Sequence, residues 1–298
     1  MALDVGGREL RVTSLDRVLY PETGTTKAAL LGYYTRVAPV MIEHLRDRLL
    51  HLHRYPEGVT GPRFWQKQCP EGRPDWLPTA PIWSRDKQAF IEYCVVNEPA
   101  ALLWAVNIGS LELHTSLHTI HDLGRPTAIA FDLDPGDGVG LVECCDVAVR
   151  LRDLFAGTGL RCFAKTSGSK GLQVYVPLNT SVAYGETKPI ARGVAEMLEA
   201  RWPELVVSRM ARAARRGKVL IDWSQNTEHK SMVCAYSVRA KARPTVSTPV
   251  GWDEVEAVVD RGDAGTLVFG MDDVLARLEE RGDLFADVLT LRQAWPSG

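Results

Sequence analysis

TAIAFDLDPGDG, residues 127–138, is an apolar run that ends in two aspartates and a Pro-Gly turn. Side chains in a strand repeat every two residues, so Asp132 and Asp134 would lie on the same face. Aspartate is a poor strand residue, and an ionised carboxylate is costly to bury without a partner. Two neighbouring carboxylates repel each other, and hard divalent cations prefer oxygen ligands, so the pair predicts a metal site.

The segments around this stretch follow the order β-α-β-β-α-β. Hydrophobic periodicity predicts a strand at 128–133, a helix at 141–155, strands at 161–165 and 172–176, a helix at 188–202 and a strand at 219–223. This order predicts a split βαβ, ferredoxin-like core within an α/β (α+β) chain. The first and last strands are neighbours in that arrangement. Asp222 in KVLIDWSQN (218–226) would then join the other two aspartates, as in a two-metal nucleotidyl-transfer site. The register of the two strands remains open at this point.

Composition sets broader limits. The chain has 298 residues, of which 45% are hydrophobic and 24% charged, and its net charge is −2. This is ordinary globular composition, with room for one large or two modest domains. The N-terminus has no apolar signal region, and the most apolar stretch, AALLWAV (100–106), is too short to cross a bilayer. The six cysteines show no CxxC spacing, which predicts free thiols in a reducing cytoplasm.

Three further segments have characteristic patterns. SRMARAARRGK (208–218) is strongly basic, which fits either a solvated helix face or a surface that binds phosphates. Residues 56–81 contain six prolines and predict an extended surface loop, and the last two thirds of residues 251–285 read as helix. TSGSKG (166–171) predicts a tight turn between strands whose serine and lysine side chains suit phosphate oxygens.

The aspartate pair has three rival interpretations. A calcium loop that started at Asp132 would need glycine at its sixth position, but Gly136 is fifth and Asp137 sixth, so this alternative is discarded. A haloacid-dehalogenase-type phosphatase also has an Asp-x-Asp pair, and GMDDV (270–274) resembles its late acidic motif. Its usual Gly-Thr after the pair is missing here. The aspartates could also simply cap a turn.

The ordered motifs resemble a known family. FDLDPGDG (131–138), TSGSKGL (166–172), VLIDWSQN (219–226) and YSVRA (236–240) resemble the polymerase domain of bacterial ATP-dependent ligase D, an archaeo-eukaryotic primase-type fold of non-homologous end joining. LDRVLYPETGTTK (15–27) and RYPEGVTGPRFWQKQ (54–68) fit the same family. The resemblance extends over almost the whole chain. It implies one stand-alone polymerase/primase domain, with an N-terminal α/β lobe to about residue 124, a catalytic core at about 125–245 and a helical appendage from about 250.

The resemblance also implies roles for individual residues. The metal ligands, for two Mn²⁺ or Mg²⁺ ions, would be Asp132, Asp134 and Asp222. The nucleotide would be bound by His114, Ser167, Lys170, Gln173, Arg215, Gln225 and Arg239. DNA would be bound by Arg17, Lys27, Arg54, Phe64, Trp65 and Lys67. In this set, Arg17 and Lys27 match a pocket for a 5′-phosphate, and Phe64 and Trp65 match an aromatic pair that stacks on template bases.

One position departs from the family pattern. The second motif usually ends in histidine, where this chain has Gln173. Glutamine can donate a hydrogen bond to phosphate but cannot carry a positive charge. We therefore expect a change in nucleotide affinity or metal preference, with catalysis retained because the three carboxylates are present.

The function implied is a template-dependent nucleotidyltransferase that extends primers and fills short gaps at DNA ends, with a preference for ribonucleotides. Its substrates would be nucleoside triphosphates, ribo or deoxy, and DNA with a 5′-phosphate at a gap or end. Ku and a separate ATP-dependent ligase are the expected partners, in the bacterial cytoplasm at the nucleoid and without a membrane. The alternatives are a primase that starts chains de novo, the phosphatase, and an inactive DNA-end-binding module, which the intact aspartates argue against.

Overall fold

Strands and helices alternate along the chain in the computed structural model, which describes residues 1–295. Within this range the strands β1 to β16 are Ala2–Val5, Arg8–Arg11, Val18–Tyr20, Thr25–Thr26, Leu50–Arg54, Phe64–Gln66, Thr79–Ser84, Ala89–Cys94, Ser110–Thr115, Ala128–Pro135, Phe163–Thr166, Leu172–Pro177, Val206–Val207, Val219–Asp222, Met232–Val233 and Pro249–Val250. The helices α1 to α7 are Lys27–Leu45, Pro99–Asn107, Leu141–Gly157, Tyr184–Arg201, Trp252–Arg261, Met271–Arg281 and Ala286–Thr290. The fold is therefore α/β, as predicted.

The chain divides into two compact units. The first unit contains residues 1–121, 231–246 and 270–280, and the second contains residues 122–230, 247–269 and the chain from 281 onward. Each unit is built around one larger sheet.

The sheet of the first unit has the strand order β15-β9-β5-β8-β7, with β6 paired to β5. Helix α1 begins after Thr26, whose side chain accepts the N–H of Ala29 and so caps the helix. Helix α2 is buried from Ala100 to Val106, which explains why its sequence has no polar face. None of the helices in the described chain is long and apolar enough to cross a membrane.

The sheet of the second unit has the strand order β13-β14-β10-β12-β11-β16. Its four central strands alternate with α3 and α4 along the chain, and β14, at the end of this series, lies beside β10, at its start. This is the β-α-β-β-α-β arrangement predicted from the sequence. Helix α3 packs on β10 and β12 through an apolar stripe that includes Val147, Leu151 and Phe155.

Two predictions about local structure need correction, and one open alternative is excluded. The proline-rich segment 56–81 is not one extended loop, because it contains β6 and the start of β7. The basic run 208–218 is not a helix and has a single 3₁₀ turn at Arg212–Ala214. Cys69 and Cys94 form a disulfide with their Cα atoms 5.2 Å apart, so the prediction of free thiols is wrong for this pair. The two cysteines are 25 residues apart in sequence, and only the pairing of distant segments brings them together.

Candidate active site

The register of the second sheet brings the three aspartates together. Asp132 of β10 lies directly opposite Asp222 of β14. Directly opposite residues of an antiparallel pair share a face, and Asp134 shares that face because it is two residues from Asp132. The convergence that the sequence left open is thus present. The role of the three aspartates as metal ligands stays a prediction.

The electrostatics of this cluster fit a cation site. Burial raises the pKa of Asp132 to about 7, and the charges of Asp134 and Asp222 act in the same direction. The hydrogen bond from Gln173 and the charge of Lys165 oppose this rise. Since like charges are held together on one face and all donors are hard oxygens, the residues suit Mg²⁺ or Mn²⁺.

Asp222 is oriented by the 3₁₀ turn that follows it. Its Oδ1 accepts the backbone N–H of Ser224 at 2.9 Å and the Ser224 hydroxyl at 2.6 Å. Its Oδ2 accepts the side-chain amide of Gln225 at 2.8 Å. Gln225, predicted from the resemblance to bind nucleotide, is therefore placed where it orients an aspartate. Buried Asn226 ties the turn to β10 through the N–H and C=O of Ala130, at 3.0 and 2.8 Å.

The β11–β12 hairpin carries the predicted phosphate-binding residues. Ser167 Oγ accepts the backbone N–H groups of Ser169 and Gly171, at 3.2 and 3.1 Å. Gly168 has a φ of 65°, which favours glycine, and Lys170 is exposed at the turn. Gly171 is required for a different reason, because a Cβ there would collide with the carbonyl oxygen of Leu133 in β10.

The segment of Arg215 is fastened to the turn that follows Asp134. The N–H of Gly136 donates to the Lys218 carbonyl at 2.9 Å, and the N–H of Gly217 donates to the Asp137 carbonyl at 2.8 Å. These bonds hold part of the basic run beside the end of β10. The run is therefore a loop held at the end of β10, and its role in binding anions stays a prediction.

The other two predicted nucleotide residues, His114 and Arg239, lie in the first unit and share one carboxylate. Glu112 Oε2 is 2.9 Å from His114 Nε2 and 3.4 Å from His53 Nδ1, and Glu112 Oε1 is 3.2 Å from Arg239 Nε. Burial lowers the pKa of His114 to about 4, with the hydrogen bond to Glu112 acting against this. Burial would raise the pKa of Glu112, but hydrogen bonds from the two histidines and the charge of Arg239 hold it well below its usual range.

Sequence reasoning missed Glu112, although LELH (111–114) places it two residues before His114 and hence on the same strand face. The ligand atoms of His53, Glu112 and His114 lie within 4.8 Å of one another, so this triad is a possible metal site. Arg239 already neutralises the carboxylate, and a second cation beside a guanidinium is disfavoured. The ion pair with Arg239 therefore disfavours a metal ion at this triad.

Arg17 and Lys27 come together at the start of α1. Lys27 Nζ donates to the Thr13 carbonyl at 2.8 Å, and Arg17 donates to the Pro56 carbonyl at 2.6 Å. Burial lowers the pKa of Lys27, and the charge of Arg17 lowers it further, so the cations lie close enough to repel each other. Within the described chain, the first turn of α1 contains no acidic residue. Two cations at a helix N-terminus form a favourable place for a phosphate.

The aromatic pair lies on β6. Phe64 and Trp65 are each 53% exposed, which is unusual for large hydrophobic side chains. With His53, Tyr55 and Arg63 they line a cavity of about 430 Å³. Arg54 is held in place by Gln66 Oε1 at 2.9 Å and the Ile108 carbonyl at 3.1 Å, and Lys67 follows β6 directly. Exposed aromatic rings with nearby cations suit single-stranded bases and their phosphates.

Comparison with known proteins agrees with this geometry. Residues 26–285 match the family model described as LigD, primase-polymerase domain. The chain is 39% identical to the multifunctional non-homologous end joining protein LigD of Mycolicibacterium smegmatis over 93% of its own length and 36% of the relative. It is 30% identical to the bifunctional non-homologous end joining protein LigD of Bacillus subtilis, over 94% of this chain and 44% of the relative. The chain thus spans less than half the length of these curated relatives.

A solved structure is also similar. The polymerase domain of Mycobacterium tuberculosis ligase D, in complex with DNA, superposes with a TM-score of 0.87 at 35% identity, over 95% of this chain and 99% of that one. Sequence and fold therefore agree over nearly the whole chain, and the chain belongs to the LigD primase-polymerase family of nucleotidyltransferases.

Proposed function

We propose that this chain extends primers and fills short gaps at DNA ends during double-strand break repair, copying a template by a two-metal mechanism. The single observation that supports this most is the strand register that sets Asp132 opposite Asp222 on the face shared by Asp134. The proposal includes a preference for ribonucleotides, and Ku and a separate ATP-dependent ligase as partners at the nucleoid. We also propose that residues 1–298 act as one polymerase/primase domain.

Family membership implies a divalent metal and a nucleoside triphosphate in general. Asp132, Asp134 and Asp222 would hold the metal ions, which supply Lewis-acid stabilisation of the triphosphate and activation of the attacking oxygen when bound. Ser224 and Gln225 keep Asp222 in one orientation.

Within the second unit, the hairpin and the basic segment would recognise the triphosphate. Ser167, Lys170, Gln173 and Arg215 belong to the second unit, and His114 and Arg239 to the first. Charge-assisted hydrogen bonds from lysine and arginine suit phosphate oxygens, which supports this assignment. Phe64 and Trp65 would stack on template bases.

The alternative functions differ in their support. The phosphatase is disfavoured because its supposed late motif has another explanation: Asp273 accepts the Gly270 N–H at 2.8 Å and so caps α6. The intact aspartates oppose an inactive end-binding module. De novo priming remains the second candidate, because it uses the same three carboxylates.

Primer extension on a gapped duplex tests the proposal, with Mg²⁺ or Mn²⁺ and with ribo- and deoxynucleotides side by side. We expect template-directed extension that requires metal and favours ribonucleotides. Synthesis from an unprimed template as fast as from a primed gap would favour the primase. Release of phosphate from simple esters without extension would favour the phosphatase.

The 5′-phosphate pocket gives a separate prediction. Two cations that converge on a dianion should contribute on the order of 1–3 kcal/mol in a partly desolvated pocket. Removing the 5′-phosphate from a gapped duplex should therefore weaken binding roughly 5- to 150-fold. Lys27→Ala should abolish this difference, because its Nζ lies beside Arg17 at the start of α1. Titration at one fixed salt concentration measures it.

The matched control for Lys27→Ala is the duplex with a 5′-hydroxyl gap, to which the variant and wild type should bind about equally. Weakened binding to both duplexes would mean that Lys27 supports α1 rather than a phosphate. Equal binding of wild type to both gaps would show that the protein does not recognise 5′ ends.

A further inference from the structure

A row of four polar residues crosses four adjacent strands of the second sheet. Asp222 of β14 lies opposite Asp132 of β10, Asp132 lies opposite Gln173 of β12, and Gln173 lies opposite Lys165 of β11. Lys165 is only 1% exposed and is among the largest fully buried side chains of the described chain. Burial of a lysine is costly unless its charge is paired and its N–H groups are bonded.

Hydrogen bonds connect the members of this row. Lys165 Nζ donates to Gln173 Oε1 at 2.6 Å and to Ser247 Oγ at 2.7 Å. Gln173 Nε2 donates to Asp132 Oδ1 at 2.9 Å. Because an ammonium group can only donate, the carbonyl end of the Gln173 amide must face Lys165. The NH₂ end is thereby directed at Asp132, so the lysine determines which way the amide points.

The position of Gln173 is well suited to connect a cation with an anion. Its amide accepts from Lys165 at one end and donates to Asp132 at the other. Asp132 and Asp222 in the row and the neighbouring Asp134 need positive charge. The buried ammonium group of Lys165 supplies it. A lysine fixed by the chain cannot leave, whereas a metal ion can.

We propose that Lys165 is a positioning residue and resident counter-ion of the three aspartates, which acts through Gln173 and weakens their affinity for divalent metal. This inference rests on the metal site of the proposed function. When no metal is bound, the lysine balances part of the carboxylate charge and keeps Asp132 in one orientation. When a metal ion binds, the same positive charge repels it, so that binding stays readily reversible.

A lysine that acts as a counter-ion and a lysine with only a packing role differ in the expected effect of removing the charge. Loss of the charge should lower the stability of the metal-free protein, because the carboxylates are then less balanced. It should also tighten Mn²⁺ binding by roughly tenfold, which corresponds to about 1.4 kcal/mol. A lysine with only a packing role would lower stability and leave the Mn²⁺ dissociation constant unchanged.

The experiment uses the full chain with Lys165→Met, which removes the charge and keeps an unbranched side chain that is one atom shorter. Free Mn²⁺ is measured by electron paramagnetic resonance during titration, and melting is followed with and without Mn²⁺. Tighter binding and a larger Mn²⁺-induced rise in melting temperature are expected. Lys165→Gln is the second neutral variant and should show the same tightening. Lys188→Met on α4 makes the same change in net charge and should bind Mn²⁺ like the wild type within about twofold.

Each outcome either supports or overturns the proposed role of Lys165. Unchanged or weaker Mn²⁺ binding by the neutral Lys165 variants overturns the inference, as does failure to fold with and without Mn²⁺. A variant that folds only with Mn²⁺ supports it. Asp132→Asn distinguishes failure of the proposed role of Lys165 from failure of the proposed metal site. If this variant binds Mn²⁺ as well as wild type does, the proposed metal site itself is wrong.

Discussion

Asp132→Ala and Asp134→Ala should each lower the rate of nucleotide addition by a factor of at least about 10³, or about 4 kcal/mol of transition-state stabilisation. Both carboxylates lie on the face of β10 that Asp222 shares from β14. Removing either one leaves too few hard oxygen ligands for two metal ions. Single-turnover primer extension with saturating nucleotide and metal measures the loss of the chemical step.

DNA binding gives the control for these variants. We expect the affinity for gapped DNA to stay unchanged or to rise slightly, because a carboxylate that repels phosphate has been removed. Asp260→Ala, which removes an exposed carboxylate from α5, should leave extension unaffected. Full extension by both Asp132→Ala and Asp134→Ala would end the two-metal interpretation. A parallel loss of DNA binding would indicate that the strand had been disrupted.

Gly171→Ala should destabilise the second unit by about 3 kcal/mol or more. A Cβ at this position would overlap the carbonyl oxygen of Leu133, and the Leu133 carbonyl carbon would be 3.2 Å away. Leu133 is fully buried in β10, which is paired on both sides, so neither strand can move without breaking hydrogen bonds. The expected fall in melting temperature is on the order of 6–12 °C.

Gly193→Ala is the matched control, because a Cβ there would meet nothing within 4 Å and the residue lies inside α4. In a helix interior the same substitution should stabilise by roughly 0.5–1 kcal/mol. Thermal or urea unfolding of both variants provides the comparison. If Gly171→Ala and the wild type have the same melting temperature, the hairpin does not pack against β10 as closely as described.

Four strands and two helices of the second unit were predictable from sequence because each is defined by contacts within a few residues, whereas the two-residue edge strands β13 and β16 were not predicted. The predicted strand at 128–133 is observed at Ala128–Pro135, and the predicted helix at 141–155 at Leu141–Gly157. Alternation also showed that Asp132 and Asp134 share a face, since this depends only on the two-residue repeat of a strand. The basic run at 208–218 was ambiguous, because its charge pattern is equally compatible with a helix and a loop.

Other features depend on pairing between distant segments. Nothing local in KTSGSKGLQV (165–174) indicates that Lys165 is buried or that Gln173 bonds both to it and to Asp132, which is 41 residues away from Gln173. Cys69 and Cys94 are joined across 25 residues, and Glu112 shares its carboxylate with Arg239 from a later part of the chain. Each of these contacts depends on which strands and loops become neighbours.

Short-range patterns in the sequence therefore predict the order of the six core elements, the shared face of two aspartates and the family motifs, because periodicity and turn chemistry act over short distances. Long-range strand pairing places Asp222 opposite Asp132 and brings a buried lysine into the same row through Gln173. The physical reason is register: a shift of one residue between β10 and β14 would turn Asp222 to the other face, and no local pattern sets that alignment.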